Sequence, residues 1–209
     1  RSHGRNLCQC PPIFYSMAFF VCRDLNLTER YLRIEIITTG DEVMQGVILD
    51  TNSRWISERC VAFGHDIVRR SSVKDDIDDI SGLLREAAGR ADAVIVTGGL
   101  GPTSDDLTIE AAAVAFGFEL ILNEGVLSAM KDFFRRIGRE FSSSNEKQAL
   151  IPEGGEVLPN RLGTAPGVHL RASSSDFFFL PGVPKELYAM FDDSLAPWLA
   201  SCSDCSRGE

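Results

Sequence analysis

A chain of 209 residues with 44% hydrophobic content has the composition of a globular protein with one sizeable core. Thirty acidic against 21 basic residues give a net charge of −9. That balance argues against a protein that grips a nucleic-acid backbone through a basic face, though not against a nucleotide enzyme in which a metal ion bridges acidic protein to acidic ligand.

Residues 1–31 contain a ten-residue apolar run, Ile13 to Cys22. It is too short to cross a membrane, and no small-x-small cleavage site follows it. They read as an extension ahead of one domain, 32–200, with a tail at 201–209. Six cysteines, at 8, 10, 22, 60, 202 and 205, suggest no disulfide framework. Cys202-x-x-Cys205 has metal or redox spacing but no second ligand pair, and Cys60 reads as a small buried hydrophobe. His3, His65 and His169 show no ligand spacing.

Ile34 to Thr38 reads as the first strand, and Thr51 to Phe63, closed by Gly64, as a helix. His65 to Val73 is a second strand. Ile77, Ile80, Leu83, Leu84 and Ala87 recur at helical spacing, with Asp75 and Asp76 at the start and Gly89 at the end. Ala93-Val94-Ile95-Val96 is a short β-branched run suited to a buried strand. Gly98, Gly99, Gly101 and Pro102 then break regular structure. Thr103 or Ser104 can cap a new helix, which puts Asp105 and Asp106 in its first turn, where the helix dipole favours carboxylates. A helix from about Leu107 to Phe116, a strand at 119–122 and a helix from about Glu124 to Ile137 follow. Between Glu140 and Gly167, Gly, Pro, Ser and Asn dominate, and the segment reads as loop with short strands. Phe177 to Leu180 is a buried strand, and Pro184 starts the last helix at its favoured first position.

Strands alternating with helices imply a three-layer α/β/α sandwich with a mainly parallel sheet. Such sheets take ligands beyond the carboxyl ends of their strands. Gly40-Asp41-Glu42, the glycine turn from Gly98, and Pro181-Gly182-Val183-Pro184 each follow a strand, so they are expected to share one rim. A glycine turn before a helix lets backbone N–H groups meet an anion, and it also serves as an ordinary tight connection. Asp41 and Glu42 read either as a solvated turn or, with Asp105 and Asp106, as carboxylates around a cation. Asn52 caps the next helix or contacts ligand.

GGLGPTSDDLTIEA (98–111), TTGDEVMQGVILDTNSRWIS (38–57), SNEKQALIP (144–152), NRLGTAPGV (160–168) and LPGVPKEL (180–187) together resemble the N-terminal domain of CinA, the competence/damage-inducible protein A, within the molybdopterin-binding MoaB/Mog superfamily. The resemblance covers roughly residues 33–199. It implies the MoaB/Mog-like fold and metal-dependent hydrolysis of a nucleotide diphosphate linkage, as in ADP-ribose. A divalent cation would sit among Asp41, Glu42, Asp105 and Asp106, with Asp41, Asp105, Asp106 and Lys147 catalytic. The ligand would meet Gly40, Asn52, Gly98, Gly99, Gly101, Thr103, Asn145, Gln148, Asn160, Thr164 and Gly182. The family often has two Asn before its KQA motif; here Ser144-Asn145 leaves Asn145 to fill that place. Other superfamily members imply molybdopterin binding or adenylyl transfer, and a non-catalytic binding module is the third reading. A small-molecule nucleotide or pterin partner, a homo-oligomer and a cytoplasmic location are expected, with no nucleic acid or membrane partner. The deamidase domain that CinA proteins commonly carry after this one is not expected within these 209 residues.

Overall fold

The computed structural model of the chain describes residues 31–204. The extension read at 1–31 and the end of the tail therefore fall almost wholly outside the described residues. A six-stranded sheet runs in the order β2-β1-β3-β8-β7-β6. Its parallel half comprises β1 (Arg33–Thr39), β2 (Asp66–Val73), β3 (Ala93–Thr97) and β8 (Ser175–Leu180), and β6 (Glu156–Leu158) and β7 (Gly167–Ala172) add to it antiparallel. A strand covered on both faces must be apolar at successive positions. β3, Ala-Val-Ile-Val-Thr, is buried throughout, and Phe177, Phe178 and Phe179 of β8 are almost fully so.

Alternate residues of these strands serve opposite layers. Ile37, Val94, Val96, Phe177 and Phe179 pack with Ile80 and Leu84 of α3 (Ile77–Ala88) and Ala111 and Ala112 of α4 (Thr108–Phe116). On the other face, Ile36, Ile95 and Phe178 meet Ile56 and Cys60 of α2 (Thr51–Ala62) and Leu187 and Met190 of α6 (Pro184–Met190). A four-residue helix α1 (Asp41–Met44) follows β1 directly, so Asp41 and Glu42, read as a turn, stand in its first turn. The three-layer α/β/α arrangement read from the pattern is the one observed. Burial raises the Cys60 thiol to about 12, so it behaves as a hydrophobe.

After α6 the chain passes through a π-helical turn, Phe191–Leu195, into α7 (Ala196–Asp204). Pro197 has no N–H to give to the turn before it, and a π-turn accommodates such a gap. The segment expected as loop with short strands holds a 3-10 helix (Ser143–Ala149), β5 (Leu150–Pro152) and β6. β5 pairs antiparallel with β4 (Leu120–Leu122), beside α5 (Glu124–Arg136). β7 is not separable from that loop by its sequence pattern, because His169 and Arg171 interrupt its apolar run.

Two polar ties cross the layers. Glu35 of β1 is fully buried and takes both oxygens to Arg90, Oε2 from Nε at 2.9 Å and Oε1 from Nη2 at 3.1 Å. Removing one partner of such a pair leaves an uncompensated buried charge, which costs far more than the pair itself gains. Along the sheet edge, the register of β2 against β1 slips between Ile34 and Glu35, which oppose Ile67 and Arg69, so Val68 forms a bulge.

His65 is the second tie. It is 4% exposed; its Nδ1 accepts the Leu32 N–H at 3.3 Å and its Nε2–H donates to the Leu199 carbonyl at 3.1 Å. Burial lowers its pKa, against a smaller raising effect of the Leu199 carbonyl. A second proton would have to go onto Nδ1 and displace the Leu32 N–H. Because the folded pKa is lowered, the unfolded chain binds more protons below its own value of about 6.5. This contribution to stability is therefore present above about pH 6.5 and is lost as pH falls from there toward the folded pKa. Urea midpoints measured from about pH 7.5 to 5 should fall over this window, and His65→Leu should flatten the fall.

Candidate functional site

The three parallel strands β1, β3 and β8 end side by side, and their connections interlock. Gly98 N–H donates to Leu180 O at 3.0 Å, and Thr97 Oγ1 donates to Pro181 O at 3.3 Å. From α2, Asn52 Nδ2 reaches Gly182 O at 2.8 Å and Thr97 Oγ1 at 3.4 Å. The turns carrying Gly40, Gly98 and Gly182 thus meet at one rim, and a Cβ on Gly182 would lie 3.5 Å from Gly98 Cα.

The glycine turn is tighter than its sequence suggests. Gly98 has φ +104°, and a Cβ there would lie 2.5 Å from Thr39 O; Gly99 has φ +66°, and its Cβ would lie 2.2 Å from Thr108 Oγ1. Thr108 Oγ1 donates to Gly98 O at 2.9 Å and Thr108 N–H to Gly99 O at 3.2 Å. α4 consequently begins at Thr108, next to the start expected at about Leu107, and the expected cap at Thr103 or Ser104 is not found. Asp105 and Asp106 lie in the preceding turn instead of the first helical turn. Asp106 Oδ2 accepts from Thr103 N–H at 2.9 Å and from Thr103 Oγ1, and Asp105 Oδ1 accepts from Ser104 Oγ at 3.0 Å. The turn folds back onto the helix start and takes up its first N–H, so that donor does not face an anion.

Beyond the strand ends lies a cleft of about 740 Å³. Gly40, Asn52, Gly98, Gly99, Gly101, Thr103, Gln148, Thr164 and Gly182 line it, together with Asp41, Glu42, Asp105 and Asp106. Asp50, Asp75 and Glu186, which the sequence reading did not single out as site residues, bring the carboxylates to seven; no Lys, Arg or His of the described residues lines it. Asp75 ends the β2 connection, so the strand-end rule that picked out Asp41 also applies to it. Asp41 and Asp75 each accept the other's backbone N–H, at 3.3 and 3.1 Å. Burial raises the Asp75 carboxyl above its ordinary value, the Asp41 N–H lowers it, and the like charges of Asp41, Glu42 and Asp106 add smaller raising effects.

Three expected ligand contacts lie elsewhere. Lys147 does not line the cleft; its Nζ is 3.1 Å from Glu110 Oε1 and 3.4 Å from Thr103 O, beside a void of about 20 Å³. Asn145 is buried and accepts from Ser142 N–H and Oγ, holding the start of the 3-10 segment. Asn160 folds its own loop: Nδ2 donates to Ala165 O and Glu186 Oε2, and Oδ1 accepts from Leu162 and Gly163 N–H. That loop in turn presents Thr164 to the cleft. Two amide oxygens in the cleft wall, Asn52 Oδ1 and Gln148 Oε1, are buried without a hydrogen-bond partner. The opposite ends of both amides are fixed, Gln148 Nε2 donating to Leu100 O at 3.1 Å.

The all-oxygen acidic lining has the donor chemistry of a hard divalent cation. Among the described residues, no three His, Cys, Asp or Glu side chains are grouped closely enough to hold a metal ion. The charge suits a cation; a preformed ligand cage is not present among the described residues.

A family model described as a probable molybdopterin binding domain matches residues 35–201. A CinA-like protein from Anaeromyxobacter sp. (strain Fw109-5) is 44% identical over 170 residues, 81% of this chain and 42% of that protein. One from Escherichia coli O9:H4 (strain HS) is 43% identical over 168 residues, 80% of this chain and 42% of the relative. The chain thus spans about two fifths of the length of these relatives. Among solved structures, a CinA protein of unknown function from Thermoplasma acidophilum superposes with TM-score 0.74 at 32% identity, covering 80% of this chain and 98% of that one. The molybdopterin biosynthesis enzyme MoaB of Thermus thermophilus shares the fold, with TM-score 0.56 at 23% identity over 85% and 98% of the two chains.

The glycine turn makes a direct prediction about stability. Gly98→Ala combines a positive φ with a Cβ against backbone, and should cost about 2–5 kcal/mol. Gly46, with φ +71° and nothing within 4 Å of an added Cβ, is the control: Gly46→Ala should cost about 1–2 kcal/mol. Urea denaturation of the two variants checks the difference.

Proposed function

This chain belongs to the family of probable molybdopterin binding domains, as a CinA-like member with the MoaB/Mog fold, and from that premise we propose that its cleft binds a phosphate-bearing nucleotide and hydrolyses the diphosphate linkage of a substrate such as ADP-ribose. The observation that carries this reading is a cleft at the strand ends with seven carboxylates and no base among its described lining, next to side-chain-free glycine backbone. Phosphate oxygens enter such a surface only with cations between them and the protein. Asp41, Glu42 and Asp106, whose charges all reach Asp75, with Asp105 on the same loop, are the carboxylates that would attract a divalent ion; they form no cage by themselves, so the ligand's own phosphate oxygens would have to complete its coordination. When bound, such an ion supplies an acidified water and stabilises charge developing on phosphorus.

The chain's own groups do the rest. Gly98, Gly99 and Gly101 would offer the phosphates a backbone without side chains, in a turn that a Cβ at any of the three would push against Thr39, Thr108 or Asp106. Asn52 and Gln148 offer amide oxygens to donors on the sugar or ring. Lys147, whose ammonium reaches the carbonyl of the cleft residue Thr103, is the cation that would neutralise a leaving phosphate. Residues 32–200 contain all of these groups, which supports treating that span as the functional domain.

A second reading, molybdopterin binding or adenylyl transfer, is favoured by the description of the matching family and by the unpartnered amide oxygens, which suit the N–H groups of a pterin ring. Hydrolysis of ADP-ribose followed against magnesium or manganese concentration separates the two. Asp41→Asn and Asp106→Asn should reduce kcat by about 10²–10³, or about 3–4 kcal/mol, comparable to removing one preorganised electrostatic group. Their melting temperatures should stay within a few degrees of the parent, because an amide oxygen can still accept the backbone N–H that each carboxylate accepts. A parent protein that binds pterin and shows no metal-dependent hydrolysis would select the second reading.

A further inference from the structure

We infer that Glu110 is a positioning residue for Lys147: it holds the ammonium on the far side of the glycine turn and releases it to a phosphate when the cleft fills. The inference rests on the reading that the cleft takes a phosphate-bearing ligand. Lys147 Nζ stands 3.1 Å from Glu110 Oε1 and 3.4 Å from the carbonyl of Thr103. Thr103 itself lines the cleft, while Lys147 and Glu110 line the small void behind Gly99 and Gly101. The ammonium is thus one turn of backbone away from a cleft that has seven carboxylates and no base among its described lining. A Lys carries its charge on a flexible four-carbon stem, so the release we infer is a change of rotamer rather than of fold.

The pair is built to part. Its side chains are 25% and 33% exposed, so water already attends both charges. Glu110 sits in the first turn of α4, where the helix dipole supports a carboxylate with or without a partner. Lys147 belongs to a 3-10 segment, a geometry with weaker internal hydrogen bonds than an α-helix. Its neighbour Gln148, 7% exposed, has a buried oxygen without a donor, a state that a ligand donor or a small shift of the segment would improve. The arrangement sets Glu110 and the ligand phosphate in competition for one cation. It also keeps that cation from being drawn onto the cleft's own carboxylates while the cleft is empty.

The test measures binding of inorganic pyrophosphate and of ADP-ribose by calorimetry, each with magnesium, at low and high ionic strength. Glu110→Gln should tighten pyrophosphate binding up to about fivefold at low salt, the range of a partly exposed ion pair, and the gain should shrink at high salt. Lys147→Met should weaken binding about tenfold, Lys147→Arg should restore most of it, and Glu110→Gln should have no effect in the Lys147→Met background. A purely structural pair would instead lower the melting temperature in both single variants and leave affinity per folded molecule unchanged. Unchanged or weaker binding in Glu110→Gln, or the same gain in the Lys147→Met background, overturns the assignment. If the parent binds ligand but Lys147→Met binds equally well, the assignment fails while the functional reading stands. If the parent binds neither ligand, the functional reading fails and the assignment with it.

Discussion

The rim of this protein depends on the contact of Gly98 with Thr39. The ends of β1 and β3 approach so closely there that no side chain fits between them, and the carbonyl of Thr39 occupies the space a Cβ would need. Thr108 completes the contact from α4: its hydroxyl lies 3.2 Å from Thr39 Oγ1 and donates to Gly98 O. These groups are buried, so each hydrogen bond must be made, or its loss costs the desolvation of both ends. Two strands and a helix are thereby fixed relative to one another at a single point. The loop from Leu100 to Asp106 has its position set at both ends, and with it the acidic wall of the cleft.

That wall is an electrostatic burden. Carboxylates gathered on one concave surface resist burial and repel each other, which is why Asp75 holds its proton more strongly than an ordinary aspartate. The rest of the fold treats charge differently. Glu35 is buried deeper than any cleft carboxylate, yet it is answered by a two-pronged Arg90. The contrast between a carboxylate paired with a cation in the core and rim carboxylates that meet only neutral donors is the pattern expected where a site is organised to receive something from outside.

Much of the architecture was legible in the sequence because burial on both sheet faces demands apolar runs: β3 and β8 have continuous ones, and β1 is broken only at Glu35. The rim followed from chain order, since Gly40, Gly98 and Pro181 each come directly after such a run. What was not legible depended on long-range contacts. The place of Asp105 and Asp106 ahead of α4 is decided by Thr108 bonding back to the glycine turn, whereas local capping at Thr103 or Ser104 would put them in the first helical turn. Lys147 is assigned to Glu110 by packing between segments distant in sequence, and no spacing rule connects them. The roles of Asn145 and Asn160 as internal braces are equally invisible in a motif that names them only as polar residues. β7 was obscured by His169, whose ring stacks on Phe178 at 4.3 Å, so a polar letter occupies a half-buried position. Asp75 was legible by the same rule as Asp41, since it follows the end of β2 as Asp41 follows the end of β1.

The bulge at Val68 has a consequence away from the cleft. β2 is the outer strand of the parallel half, and an outer strand offers a row of unpaired backbone groups to any extended peptide that drifts alongside. The extra residue breaks the regular spacing that a new strand would need, and Arg69 and Arg70 place consecutive positive charges beside the break. A second chain arriving in register would bring its own arginines against these. The sheet is thus capped against continued growth on this side, which protects against fibrillar aggregation a protein whose inner strands, rich in Val, Ile and Phe, would otherwise be prone to it.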